Sequence, residues 1–197
     1  MDFKWLIESA KREVALTKDE RMLVISLTKE YSSWIKSLSS KEIHAIRKYT
    51  KNSLKESRKN KFYMKLNQML EATNPSATKN YQMLREYSDT ISSALQRHRI
   101  KQEITCYRGV DTVPVENVET GEIFEYKRFI STSLFEKHAF RCKYMIKIHI
   151  PVGICAAYID DISVYKGQFE VLIDKGYHYK LISIQGNTYE LEVCSYD

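Results

Sequence analysis

The sequence predicts an α+β domain, helical in its front half and strand-rich in its back half. Apolar residues recur at helical spacing up to about residue 101, and short strand-like runs separated by turn signals begin at residue 103. A block of helices followed by a block of strands argues for segregated layers and against a doubly wound sheet. Residues 1–197 are read as one domain, with 1–101 mainly helical and 102–197 the strand-rich core.

Phe3, Leu6, Ile7 and Ala10 open the helical pattern, and Ile43, Ile46, Arg47 and Thr50 repeat it. Ser39 and Ser40, ahead of Lys41 and Glu42, read as a helix N-cap. The stretch 51–65 carries Lys51, Lys55, Arg58, Lys59, Lys61 and Lys65 against Glu56 alone, and then turns apolar through Phe62, Met64, Leu66, Met69 and Leu70. Asn74, Pro75 and Ser76 form a turn, and a further helix is expected from about Thr78 to Arg99. Strands are expected at 104–108, 127–133, 144–150, 154–159, 168–173, 177–184 and 188–194. Glycines at 121, 153, 167, 176 and 186 punctuate them.

A chain of 197 residues is long enough to bury about 70% of its unfolded surface. Its 43% apolar and 28% charged residues exclude a disordered segment. Residues 1–101 hold 21 Lys and Arg against 11 Asp and Glu, and residues 102–197 hold 10 against 14. A basic front half attracts anions, but solvated helix faces are the favoured explanation of a charge excess alone, and its aromatics are not interleaved as base-stacking platforms. Nucleic acid is therefore not expected as a partner. The four cysteines are widely spaced, with no partner at zinc-ligand spacing, so they are read as free thiols and no metal site is expected. No apolar run reaches the ~18 residues of a membrane span. The start MDFKWLIESAKREV meets charge too early for a secretion signal, so export implies a removed signal or another route.

GxGxxG, GxxxxGK[ST], HExxH and GxSxG are all missing, which sets aside the corresponding cofactor, phosphate, zinc and hydrolase sites. Three pieces remain: Arg108-Gly109 at a strand end, Ser131-Thr132-Ser133 in an apolar strand, and Gln168-Phe169-Glu170 where a strand begins. Alone, each has an ordinary explanation, since hydroxyls in a strand commonly satisfy neighbouring backbone. Strand alternation puts Gln168 and Glu170 on one face.

Together and in this order the three pieces resemble the toxin-type mono-ADP-ribosyltransferases of the Arg, Ser-Thr-Ser, Glu class, most closely the clostridial exoenzymes that modify Rho GTPases. FISTSL from Phe129, AYIDDIS from Ala157 and YKGQFEVL from Tyr165 fall in that family's order, as do AIRKYTKNS from Ala45 and Leu66-Asn67. The resemblance implies a mixed, mostly antiparallel, two-sheet core that binds NAD as substrate, without a metal. It assigns charge stabilisation to Glu170, orientation of that carboxylate to Ser131 and Ser133, and the NAD diphosphate to Arg108. Phe140 and Arg141 would close over phosphate and nicotinamide, with Asn67 a further NAD contact.

By the same resemblance Gln168 and Tyr165 face the acceptor, Tyr165 as an exposed docking aromatic. A neutral amide at 168 pairs with a carboxamide in both directions, favouring an asparagine-like acceptor on a host protein such as a Rho-type small GTPase. The implied enzyme is a monomer, secreted or delivered into a target cell's cytosol, either alone or as the catalytic piece of a larger system. The chain departs from the family at Glu71, where relatives place an NAD-contacting Arg. Its connection from Arg108 to Ser131 is short, and Phe140 and Arg141 are displaced by about one place. Competing readings are transfer to another protein or residue, and an inactive binding module of the same fold.

Overall fold

A computed structural model describes residues 16–51, 61–112 and 115–194. The first helical repeat, Phe3 to Ala10, and most of the basic stretch lie outside those residues. Helix α1 (Lys18–Ser37) opens on a capping box in which Thr17 and Glu20 each bond the other's backbone N–H. Leu27, Tyr31 and Trp34, spaced i, i+4 and i+7, form its buried stripe. The expected cap at Ser39 starts α2 (Ser40–Thr50), through the same reciprocal bonding with Glu42. Its buried stripe is Ala45, Ile46 and Tyr49, and Arg47, expected on that stripe, is exposed. Helix α3 (Phe62–Glu71) follows, then one 3-10 turn at Pro75–Ala77. Helix α4 (Tyr81–Gln96) is shorter than expected, because Asn80 turns left-handed at φ 63° before it.

The strands are β1 (Ile104–Val110), β2 (Ile123–Tyr126), β3 (Ile130–Ser133), β4 (Tyr144–Ile150), β5 (Ala156–Tyr158), β6 (Glu170–Ile173), β7 (Tyr177–Gln185) and β8 (Thr188–Cys194). Their order is β2-β7-β8-β4-β1-β3-β6-β5, antiparallel except for the β4–β8 pair. The two expected sheets are joined edge to edge by a single residue pair between β1 and β3, Tyr107 opposite Ser133. That joint brings Arg108, on β1, beside the hydroxyls of β3. Strand β2 was not expected from the sequence. It lies at the sheet edge and buries only Tyr126.

The helices are tied to the sheet by buried polar groups. The Tyr31 hydroxyl donates to the Ala156 carbonyl at 3.2 Å, and Tyr49 donates to the Phe129 carbonyl at 3.2 Å. Ser92 of α4 donates to Asp174, just after β6, at 2.8 Å. All four cysteines are free, with Cys106 and Cys155 buried. Among the described residues no helix is long and apolar enough to cross a membrane.

Candidate active site

Glu170 opens β6, in register with Ser133 on β3. Its carboxylate is buried, and a serine hydroxyl donates to each oxygen: Ser131 to Oε1 at 2.5 Å and Ser163 to Oε2 at 2.9 Å. Burial pushes the Glu170 carboxyl up to about 7, against the lowering effect of the two hydroxyls and of Arg108. Ser163 was not singled out from the sequence. It lay unremarked in the AYIDDIS block, and its position seven residues before Glu170 was the available signal.

Ser133 takes a different role from the one expected. Its hydroxyl donates to the Gln168 carbonyl at 2.8 Å and accepts the Phe135 amide at 3.3 Å, so it holds the loop before β6 and not the Glu170 carboxylate. Thr132 points to the other side and donates to the Val171 carbonyl at 2.8 Å.

That loop is organised by Asp160, a second residue the sequence did not single out. Its buried carboxylate accepts the amides of Gly167 at 2.9 Å and Glu170 at 3.4 Å, and interacts with that of Phe169. Burial raises the Asp160 carboxyl above its ordinary value, opposed by these backbone donors. Gly167 and Phe169 both adopt left-handed backbone, φ 80° and 50°. An aromatic residue rarely does so, and here its buried ring packs on Phe135 at 5.2 Å and His138 at 4.7 Å. Strand alternation therefore does not relate Gln168 to Glu170, because the strand begins only at Glu170. Gln168 is partly exposed, and Tyr165 is half-buried rather than the fully exposed aromatic expected. The Val164 amide reaches Thr50 at 3.4 Å, which ties this loop to the end of α2.

Arg108 Nη1 donates to the Ser131 carbonyl at 2.5 Å, bracing the strand that carries the orienting hydroxyl. Asn67 is buried on α3 and donates through Nδ2 to the Tyr49 hydroxyl at 3.1 Å, while its Oδ1 has no hydrogen-bond partner among the described residues. Burial pushes the Tyr49 phenol up to about 12, with Arg108 and Arg128 opposing and Glu170 adding to the rise. Those charges therefore share one neighbourhood. The departure at Glu71 is answered there too, because its Oε1 lies 3.3 Å from Arg128 Nε.

Phe140 and Arg141 lie on the segment that crosses β1 at Gly109. A side chain at Gly109 would meet the Phe140 carbonyl, only 1.8 Å from an ideal Cβ, so glycine is required where this segment crosses β1. Gly109 and Tyr107 share a face of β1 and Arg108 takes the other. Arg141 is exposed and lines a cleft with Tyr107, Phe135 and Met145, bridged by the Lys137–Glu20 ion pair at 2.6 Å.

A sequence model described as ADP-ribosyltransferase exoenzyme matches residues 28–192. The chain belongs to the ADP-ribosyltransferase exoenzyme family. The match spans both the bracing helices and every strand of the Glu170 site, and the family's chemistry takes ADP-ribose from NAD. One curated relative, NAD(+)–arginine ADP-ribosyltransferase EFV of Enterococcus faecalis, is 26% identical over 178 residues. That alignment covers 85% of this chain but 34% of the relative, so the chain spans about a third of its length.

Among solved structures, the fold is similar to Plx2a, an ADP-ribosyltransferase toxin from Paenibacillus larvae, with TM-score 0.70 and 24% identity. That likeness covers 90% of this chain and 97% of Plx2a. It is also similar to C3stau2 from S. aureus, solved with NAD, with TM-score 0.68, 22% identity and coverage of 87% and 96%. The Clostridium limosum C3 exoenzyme gives TM-score 0.68 at 22% identity, covering 87% and 92%. The exoenzyme fold is therefore the one expected from the three motifs.

Proposed function

We propose that this chain is a mono-ADP-ribosyltransferase that splits NAD and transfers ADP-ribose to a neutral carboxamide side chain of a protein. The observation that carries the proposal is the buried Glu170 carboxylate with one serine hydroxyl on each oxygen and Arg108 beside the same strand. Cleavage of NAD breaks the bond between the ribose anomeric carbon and the nicotinamide nitrogen. The bonding pair leaves with nicotinamide, and positive charge develops on the ribose ring. A carboxylate fixed before the reaction stabilises that charge without reorganising, as in glycoside cleavage. Ser131 and Ser163 hold Glu170 in place, Arg108 binds the diphosphate through its planar fork, and Asn67 supplies a further contact.

Gln168 and Tyr165 select the acceptor. The Gln168 carboxamide donates to and accepts from an asparagine-like side chain, whose nitrogen bonds to the anomeric carbon and loses a proton. Tyr165 packs against the protein that bears it, with a Rho-type small GTPase the substrate favoured by resemblance. The enzyme acts as a monomer, secreted or delivered into a target cell. A second reading is transfer to arginine, favoured by the name of the E. faecalis relative. The neutral Gln168 stands against it, because it offers no charge to pair with a guanidinium.

The test incubates the protein with labelled NAD and a Rho-type GTPase, then locates the label by mass spectrometry. Label on an asparagine is expected, and label on arginine would select the second reading. In the same assay Gln168→Ala should abolish transfer while slow NAD hydrolysis persists, because water needs no carboxamide partner to reach attack geometry. A parallel fall in both activities would remove Gln168 from acceptor choice.

A further inference from the structure

The diphosphate of NAD carries two negative charges at neutral pH, and Arg108 supplies one positive charge, with one of its nitrogens already donating to the Ser131 carbonyl. A second cation lies in the same neighbourhood. Arg128 precedes β3, three residues before Ser131, and adjoins Phe129, whose carbonyl accepts the Tyr49 hydroxyl at 3.2 Å. Asn67, whose buried Oδ1 lacks a hydrogen-bond partner among the described residues, donates to that same hydroxyl.

The Arg128 fork is unusually well fixed. Its side chain is 30% exposed, compared with 64% for Arg85 on the helical surface. The guanidinium lies over the Tyr126 ring at 4.6 Å, its Nη2 donates to the Tyr126 hydroxyl, and its Nε faces Glu71 at 3.3 Å. Nη1 makes no hydrogen bond among the described residues. A guanidinium held on two edges has little rotamer freedom left to lose when an anion arrives on the third. Position 71 would ordinarily supply the cation by resemblance. Here the carboxylate at 71 instead positions a cation that arrives from β2 and β3.

We propose that Arg128 is the second diphosphate-binding residue of this site, oriented by Tyr126 and Glu71, so that the cofactor cation has moved from α3 to the strand connection. The inference rests on the NAD-cleaving function proposed above. Binding depends on the fork geometry as well as the charge, because two anionic oxygens are shared with Arg108.

The experiment titrates NAD and ADP-ribose into wild type, Arg128→Lys and Glu71→Gln by calorimetry, with Tm and steady-state NAD hydrolysis measured on each. Arg128→Lys should weaken both ligands at least ~10-fold, the scale set by one charge-assisted hydrogen bond. Its steady-state KM for NAD should rise by a similar factor. Glu71→Gln should weaken NAD binding too, but less than Arg128→Lys, because the fork keeps its charge and its Tyr126 contacts and loses only one of the two groups that orient it. Unchanged ligand affinity in Arg128→Lys, with only Tm lowered, would overturn the inference and make the pair structural. So would a loss of affinity in Glu71→Gln as large as that in Arg128→Lys. Wild type that binds no NAD would remove the proposed function along with it, whereas tight binding by both wild type and Arg128→Lys would remove this inference alone.

Discussion

Glu170 is pulled in two directions, because burial favours its neutral form while its proposed role, stabilising a cationic ribose, requires its charge. With the free-enzyme carboxyl at about 7, kcat/KM for NAD cleavage should rise with pH and level off above about 8. Ser163→Ala removes the donor on Oε2, so the midpoint should move about one pH unit higher while activity at pH 9 stays near wild type. A pH–rate profile of the two proteins checks this, and an unmoved midpoint would assign Ser163 to folding alone. The stability consequence has the opposite sense. A folded pKa raised above the unfolded value of 4.5 means that the folded protein holds this proton more tightly. The contribution is fully present below about pH 4.5 and is lost as pH rises through 7. Glu170→Gln should therefore match wild-type Tm at pH 4 and exceed it at pH 8.

At the scale of an element, the connection from β5 to β6 is the part proposed to set acceptor geometry. It holds two left-handed residues, and the buried Asp160 carboxylate gathers the backbone donors around them. Asp160→Ala leaves those amides without their acceptor, at about 1–3 kcal/mol for a buried unsatisfied donor. Urea unfolding should show a loss of that order, together with loss of transfer activity, whereas unchanged stability would mean that solvent replaces the carboxylate. The sequence pattern marked this connection through Gly167 and the residues around it, but not its shape. Alternation assumed a strand from 168, whereas the Asp160 bonds and the buried Phe169 ring together hold a turn there. Asp160 and Ser163 went unread for a related reason: their partners are seven to ten residues away through a fold, and no periodicity encodes that.

Across the whole molecule, helices brace a sheet whose two halves meet at one residue pair, Tyr107 with Ser133. The order of layers was legible because helical and strand periodicities occupy separate halves of the chain. Strand β2 was not, since an exposed edge strand that buries one residue leaves little apolar alternation to read. The grouping of Arg108, Ser131 and Glu170 followed from the motifs. Where the Phe140–Arg141 segment crosses β1 was not legible, and only Gly109 hinted at that crossing. The basic excess of the front half likewise gave no guide to Arg128, which lies in the acidic half.

The central claim is that a charged Glu170 stabilises the transition state of NAD cleavage, and release of nicotinamide from NAD at pH 8 without any acceptor measures it most directly. Glu170→Gln keeps the shape and removes the charge, so the account predicts a loss of at least ~100-fold in turnover at saturating NAD, the scale of one charge-stabilising group. Turnover of the folded variant near that of wild type would contradict it.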